Sequence, residues 1–154
     1  MNEKRPANDA ERFLRLAQRG ERGQLTVYLG MAPGVGKTYR MLQEAARKQA
    51  EGADVVVGIA ESHGRSETAQ LIAPFEVLPR KAIAHAGHAL EEFDIDGALQ
   101  RRPGLILVDE LAHTNAPGSR HPKRWQDVAE LVVAGIDVAT TLNIQHIESL
   151  NDIV

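Results

Sequence analysis

The segment Met31-Ala32-Pro33-Gly34-Val35-Gly36-Lys37-Thr38 brings two glycines, a cation and a hydroxyl close together in the chain. Gly34 and Gly36 let the backbone curl tightly, so that successive N–H groups converge on phosphate oxygens. A helix starting behind them adds the positive end of its dipole. Lys37 can reach β- and γ-phosphate oxygens as a movable point charge, and the Thr38 hydroxyl can ligate Mg²⁺. The expected binding set for ATP and Mg²⁺ is therefore Pro33, Gly34, Val35, Gly36, Lys37, Thr38 and Tyr39, completed by Asp109 from elsewhere in the chain. The glycine that usually opens such a motif stands at Gly30 rather than at position 31, so the spacing is stretched by one residue.

A second group of residues gives the first its chemistry. Leu105-Ile106-Leu107-Val108 is an apolar run ending in Asp109-Glu110. An acid at a strand tip is common, but opposite a phosphate cradle it acquires a role. Asp109 is expected in the Mg²⁺ shell with Thr38, and Glu110 as the base that polarises an attacking water. Ligands of open α/β sheets lie beyond the carboxyl ends of the strands. The loops to search there are Glu61-Ser62-His63-Gly64-Arg65, His113-Thr114-Asn115 and the run from Ser119 to Arg124, with Thr141 and Asn143 placed to sense the terminal phosphate. Arg65, Arg120 and Arg124 are candidates for charge stabilisation or for contact with a partner surface. Arg120 ranks first because it follows the acidic strand, so the expected catalytic set is Glu110, Lys37 and Arg120. His85 and His88 lack an obvious third ligand, and a metal is not expected there.

These groups need strands and helices to position them. Residues 24–29 read as a first strand, followed by the glycine-rich turn and a helix from about Lys37 to Ala50, with Met41, Leu42 and Ala45 on one side. Residues 54–60, 105–108 and 136–142 read as the second, third and fourth strands. Further helices are expected near residues 67–74, from an Asp94 cap to Arg102, from Pro122 as first helical residue toward Gly135, and from about Gln145. Residues 75–93 are poorly patterned, and within them 81–90, split by Gly87, suggest a short inserted hairpin. Residues 1–23 read as a charged, loosely docked arm. Asn8 or Asp9 would cap a short helix in it, and Gly20 and Gly23 would form a hinge. Residues 24–154 read as one ATP-binding domain. The expected fold is α/β and P-loop NTPase-like, a mostly parallel sheet in the core order second-third-fourth-first, with helices on both faces.

Composition narrows the function further. A chain of 154 residues with 43% hydrophobic content can build one core, burying roughly 70% of its unfolded surface. The 18 Lys and Arg against 21 Asp and Glu give a net charge of -3. With only 4% aromatics, this disfavours a nucleic-acid partner. The absence of cysteine excludes disulfides and thiolate chemistry. No apolar run approaches the ~18 residues of a membrane span, and the first residues lack an apolar signal core. A cytoplasmic domain is expected.

With these residues assembled, the sequence resembles the N-terminal cytoplasmic domain of the KdpD family, the potassium-responsive, osmosensitive sensor histidine kinases. The matching stretches are GMAPGVGKTYRML at 30–42, ESHGRSET at 61–68, LEEFD at 90–94 and the long run from Val108 to Ile153. The stretched glycine spacing is typical of that family, and Ser62 stands where threonine would be expected. The resemblance implies an input module ahead of a universal-stress-protein-like domain, a membrane region and the histidine-kinase parts, none of which is in this chain. The implied partners are those remaining domains. The implied role is control, through a response regulator, of the expression of a high-affinity potassium pump. Two readings stand side by side. In one, Mg-ATP binding alone regulates the kinase. In the other, the domain is an enzyme: water activated by Glu110 gives ATP hydrolysis, or a protein hydroxyl in its place gives Ser/Thr phosphorylation, with the potassium pump as a candidate substrate.

Overall fold

Val55-Val56-Val57-Gly58-Ile59 and Leu105-Ile106-Leu107-Val108 have no polar side to give to solvent, so each must be covered on both faces. In the computed structural model, which describes residues 22–30 and 36–144, every residue of both runs is buried. The elements in chain order are β1 (Leu25–Gly30), α1 (Lys37–Ala50), β2 (Val55–Ile59), α2 (Ser66–Ile72), β3 (Glu76–Val77), β4 (Lys81–His85), β5 (His88–Glu92), α3 (Ile95–Arg101), β6 (Leu105–Val108), α4 (Arg124–Val133) and β7 (Asp137–Asn143). Five strands form one sheet in the order β1-β7-β6-β2-β3, with every pairing parallel. The expected core order, second-third-fourth-first, is present as β2-β6-β7-β1.

Strand alternation sends successive side chains to opposite faces. Val55, Val57, Leu105, Leu107 and Ala139 pack on Met41, Leu42 and Ala45 of α1, with Leu71 and Ile72 of α2 at the margin. Val56, Ile106, Val108 and Val138 pack on Ile95 and Ala98 of α3 and on Val128, Leu131 and Val132 of α4. Helices thus cover both faces. The pairing of β2 with β6 slips between Val57 and Ile59, so Gly58 is an extra residue in the ladder, and such a bulge re-aims the chain that follows. Phe93 presses on that point: a Cβ at Gly58 would lie 2.6 Å from the Phe93 ring.

The inserted hairpin exists. β4 and β5 pair antiparallel, with His85 opposite His88. Ala86 and Gly87 both have positive φ, 51° and 81°, the backbone of a two-residue turn whose twist suits a hairpin. Strand β3, which extends the parallel sheet, was not expected from the sequence, because two exposed residues carry no pattern. Asp94 caps α3 as expected, its carboxylate accepting from the Gly97 amide at 3.1 Å.

Two expectations need correction and three fall outside the described residues. Pro122 is not the first helical residue: α4 begins at Arg124, and the Pro122 carbonyl instead accepts from the Asn115 amide at 2.9 Å. Gly23 is not a hinge. Its amide donates to Val132 O at 2.8 Å, and a Cβ there would lie 2.0 Å from the Ile136 carbonyl oxygen, so only glycine fits the close approach. The expected arm helix, the helix from Gln145 and the turn holding Pro33, Gly34 and Val35 lie outside the described residues.

Candidate functional site

In a parallel sheet all carboxyl ends meet on one side, and there the ends of β2, β6 and β7 converge with the start of α1. Gly36 holds φ at +87°, in the left-handed region where glycine carries no Cβ penalty. No side chain caps α1 and no acid stands in its first turn, so its opening amides and dipole end remain electropositive. Lys37 and Thr38 are the first helical residues. Lys37 is buried, and among the described residues no carboxylate is ion-paired with it. Together with Gly36 and Tyr39, these two residues line a cleft of about 330 Å³.

Asp109 is not itself a lining residue; it is buried behind Thr38 and Thr141, which are. Although it is 71 positions away in sequence, its carboxylate accepts from the Thr38 hydroxyl at 3.2 and 3.3 Å. It also accepts from the Thr141 hydroxyl and, at 3.3 Å, from the Glu61 amide. The residue is 1% exposed, yet among the described residues no cation pairs with it. Thr38 and Asp109 are therefore together, as the sequence reading required. Thr38 spends its one proton on Asp109, and its oxygen lone pairs accept from no described donor. An acid buried with no ion-paired cation among the described residues, beside such a hydroxyl and the Lys37 ammonium, fits a bound Mg²⁺ and a triphosphate.

Glu110 lines the same cleft, with its side chain 43% exposed. Its φ of +61° is unusual for a residue with a Cβ. The Glu110 amide donates to the Thr141 hydroxyl and the next amide, Leu111, donates to the Thr141 carbonyl, both at 2.9 Å. From the opposite wall, His63 Nε2 approaches the Glu110 carboxylate at 3.5 Å. Ser62 and Arg65 line that wall too, as the reading of the loop after the second strand expected. Arg80, which the sequence did not flag, pairs with Glu61 at 2.8 Å and donates to Ala60 O, tying the loop's start to the chain before β4.

The three candidate arginines go to three places. Arg65 is at the cleft. Arg120, expected as a charge stabiliser, is not among the cleft-lining residues; its guanidinium bonds to Asp96 and Glu130. Arg124 is 4% exposed and lies under the site. It donates to the Asp109 carbonyl at 2.9 Å and to Glu92 at 3.3 Å. Burial pushes its guanidinium below the ordinary value, opposed by the surrounding acids, Glu92 first. Glu92 also bonds His113 at 2.9 Å and accepts from the Ala116 amide at 2.9 Å. Sequence reasoning missed Glu92, because an acid at the end of an exposed hairpin strand looks like any solvated residue. Asp127, on the same helix as Arg124, is held above the ordinary carboxylate value by burial, against the hydrogen bond from Asn115.

Comparison with known proteins shows the family. Residues 21–154 match the family model described as "KdpD: Osmosensitive K+ channel His kinase sensor domain". The chain is 56% identical over 154 residues to the Sensor protein KdpD of Escherichia coli (strain K12), a match covering 100% of this chain and 17% of that protein. It is 54% identical over 134 residues to the Sensor protein KdpD of Mycobacterium tuberculosis (strain CDC 1551 / Oshkosh), covering 87% of this chain and 16% of the relative. A Putative sensor protein KdpD of Synechocystis sp. is 54% identical over 133 residues, covering 86% of this chain and 36% of that protein. The chain thus spans about a sixth of the length of the first two relatives. Among the described residues, no helix is long and apolar enough to cross a membrane.

Proposed function

We propose, from the premise that this chain belongs to the KdpD family, that its cleft binds Mg-ATP and serves as a cytoplasmic regulatory input to the remaining domains of a potassium-responsive sensor kinase. In this reading the fold is P-loop NTPase-like. Gly34, Val35 and Gly36 would offer backbone N–H groups to the phosphates, with Pro33, which has none, preceding them; Lys37 would neutralise the β and γ oxygens, and Tyr39 would flank the nucleotide. Thr38 and Asp109 hold the Mg²⁺, which would neutralise charge on the triphosphate. The observation that carries the reading is the meeting of Thr38 and Asp109, at 3.2 Å, beside the uncapped start of α1. A ligand shifts a two-state protein only by its differential affinity for the two states, so binding can regulate without turnover.

The test is calorimetry of ATP with Mg²⁺ on the purified chain and on Lys37→Ala. Loss of a charged hydrogen-bonding partner should weaken binding by roughly 1.5–3 kcal/mol. Equal affinity for the two proteins would remove Lys37 from the cradle and the triphosphate from the cleft.

A second reading, catalysis, is favoured by one observation: the Glu110 carboxylate lines the cleft next to Asp109 and remains partly exposed. There it can take a proton from water, giving hydrolysis, or from a protein hydroxyl, giving Ser/Thr phosphorylation of a partner such as the potassium pump. Phosphate release that persists unchanged in Glu110→Gln would exclude Glu110 as that base.

A further inference from the structure

Three groups beyond the proposed nucleotide-binding and catalytic residues could bear on the cleft. The Asn143 side-chain oxygen is buried with no partner among the described residues, but being inaccessible it offers nothing to a ligand. The Glu92–Arg124–His113 cluster braces the Asp109 carbonyl, yet each member is explained by its neighbours. Thr141 is different, because its single hydroxyl joins both acids that the proposed chemistry needs.

Thr141 is fully buried near the end of β7. A hydroxyl has one proton to give and lone pairs to receive. The proton goes to Asp109 Oδ1 and a lone pair receives the Glu110 amide. The Glu110 amide belongs to a left-handed residue that carries a Cβ, and such a backbone persists only when its surroundings hold it. The Thr141 carbonyl, accepting from Leu111, closes the same connection one residue further on. The adjacent Thr140 makes the point by contrast. It is equally buried, sits on the other face of β7, and its hydroxyl has no partner among the described residues.

We infer that Thr141 is a positioning residue: through one hydroxyl it aims the Asp109 carboxylate at the Mg²⁺ position and holds Glu110 in its left-handed conformation at the cleft. This deepens the Mg-ATP reading and rests on it for the metal, while the tie to Glu110 stands without any ligand. Thr141 therefore sets how strongly Mg²⁺ enhances nucleotide binding, and leaves Mg²⁺-free nucleotide binding, which rests on Lys37 and the α1 amides, nearly alone.

The test uses the purified chain, Thr141→Val, Thr141→Ser and Thr140→Val, with ATP titrated in the presence and absence of Mg²⁺. Partners that orient a metal ligand typically matter by roughly 10–100-fold in metal affinity. Thr141→Val should need about tenfold more Mg²⁺ at unchanged Mg²⁺-free affinity, Thr141→Ser should restore the normal requirement, and Thr140→Val should not alter it. In the ligand-free chain, amide exchange followed by NMR should show Glu110 N–H exchanging faster in Thr141→Val only. An unchanged Mg²⁺ requirement and unchanged Glu110 exchange in Thr141→Val would overturn the inference. So would a Thr140→Val defect of the same size, which would trace the effect to strand packing. If the unmodified chain binds no nucleotide, the Mg-ATP reading falls and takes the metal-aiming role with it; the Glu110 exchange data then decide the remaining tie.

Discussion

Acids gather at both ends of the parallel sheet, and the two ends treat them in opposite ways. At the amino ends, Asp54 and Glu76 both bond to Arg101, at 2.7 to 3.0 Å, with all three side chains partly exposed. A fixed guanidinium neutralises them and water screens the rest, so this cluster is complete as it stands. At the carboxyl ends, Asp109 is buried, and among the described residues its carboxylate is held by two hydroxyls and one amide. Its carboxylate forms no ion pair among the described residues, and the buried Arg124 guanidinium acts on it only through space. The contrast separates a cluster of paired charges from a buried acid that has no ion-pair partner among the described residues.

The largest effect should come from the charge beneath the carboxyl-end site. Arg124→Met would leave Glu92 buried with only His113 and one amide, and removing one partner of a buried ion pair costs roughly 3–5 kcal/mol. Urea denaturation measures this directly, and a loss below ~1 kcal/mol would show that Glu92 needs no cation. Asp109→Asn sharpens the comparison at intermediate size. Without ligand, the variant should unfold close to the unmodified chain. With Mg-ATP at a hundred times its dissociation constant, linkage should stabilise the unmodified chain by about 2.7 kcal/mol, and the variant should gain distinctly less in a thermal-shift titration. Equal gains would mean that Asp109 is as structural as Asp54.

The smallest effect belongs to the amino-end cluster. Hydrogen bonds from Arg101 hold both Asp54 and Glu76 below their ordinary carboxylate values. Their contribution is therefore present above the unfolded-state values and is lost as pH falls through the lowered folded-state ones. The stability gap between the unmodified chain and Arg101→Met should be small at neutral pH and should close progressively below about pH 4. A gap that widens in acid, followed by denaturation at stepped pH, would contradict the assignment.

Much of this molecule was legible from residue order. The buried strands could be read because continuous Val, Ile and Leu has one physical outcome, and α1 because Met41, Leu42 and Ala45 recur at helical spacing. Gly87 announced the hairpin turn. What stayed hidden had no periodic signal. β3 is two exposed residues, Glu92 looked solvated, and Pro122 has the right type for a helix start but is used two residues ahead of one. The arginines were the least readable, since identical side chains in one stretch of chain end on different faces: Arg120 with Asp96 and Glu130, Arg124 under Asp109.

By itself the sequence determined the groups present at the cleft: the glycine, lysine and threonine at the start of α1 and the acid pair after an apolar strand. These follow from local backbone preference and residue chemistry, which act over a few positions. Only the tertiary structure decided that Thr141 joins the two acids, that Arg124 is buried beneath them, and that Arg120 is not part of the cleft wall. Those outcomes depend on which strands become neighbours and how each loop leaves its strand, and contacts between residues far apart in the chain exist only once the sheet has closed around its core.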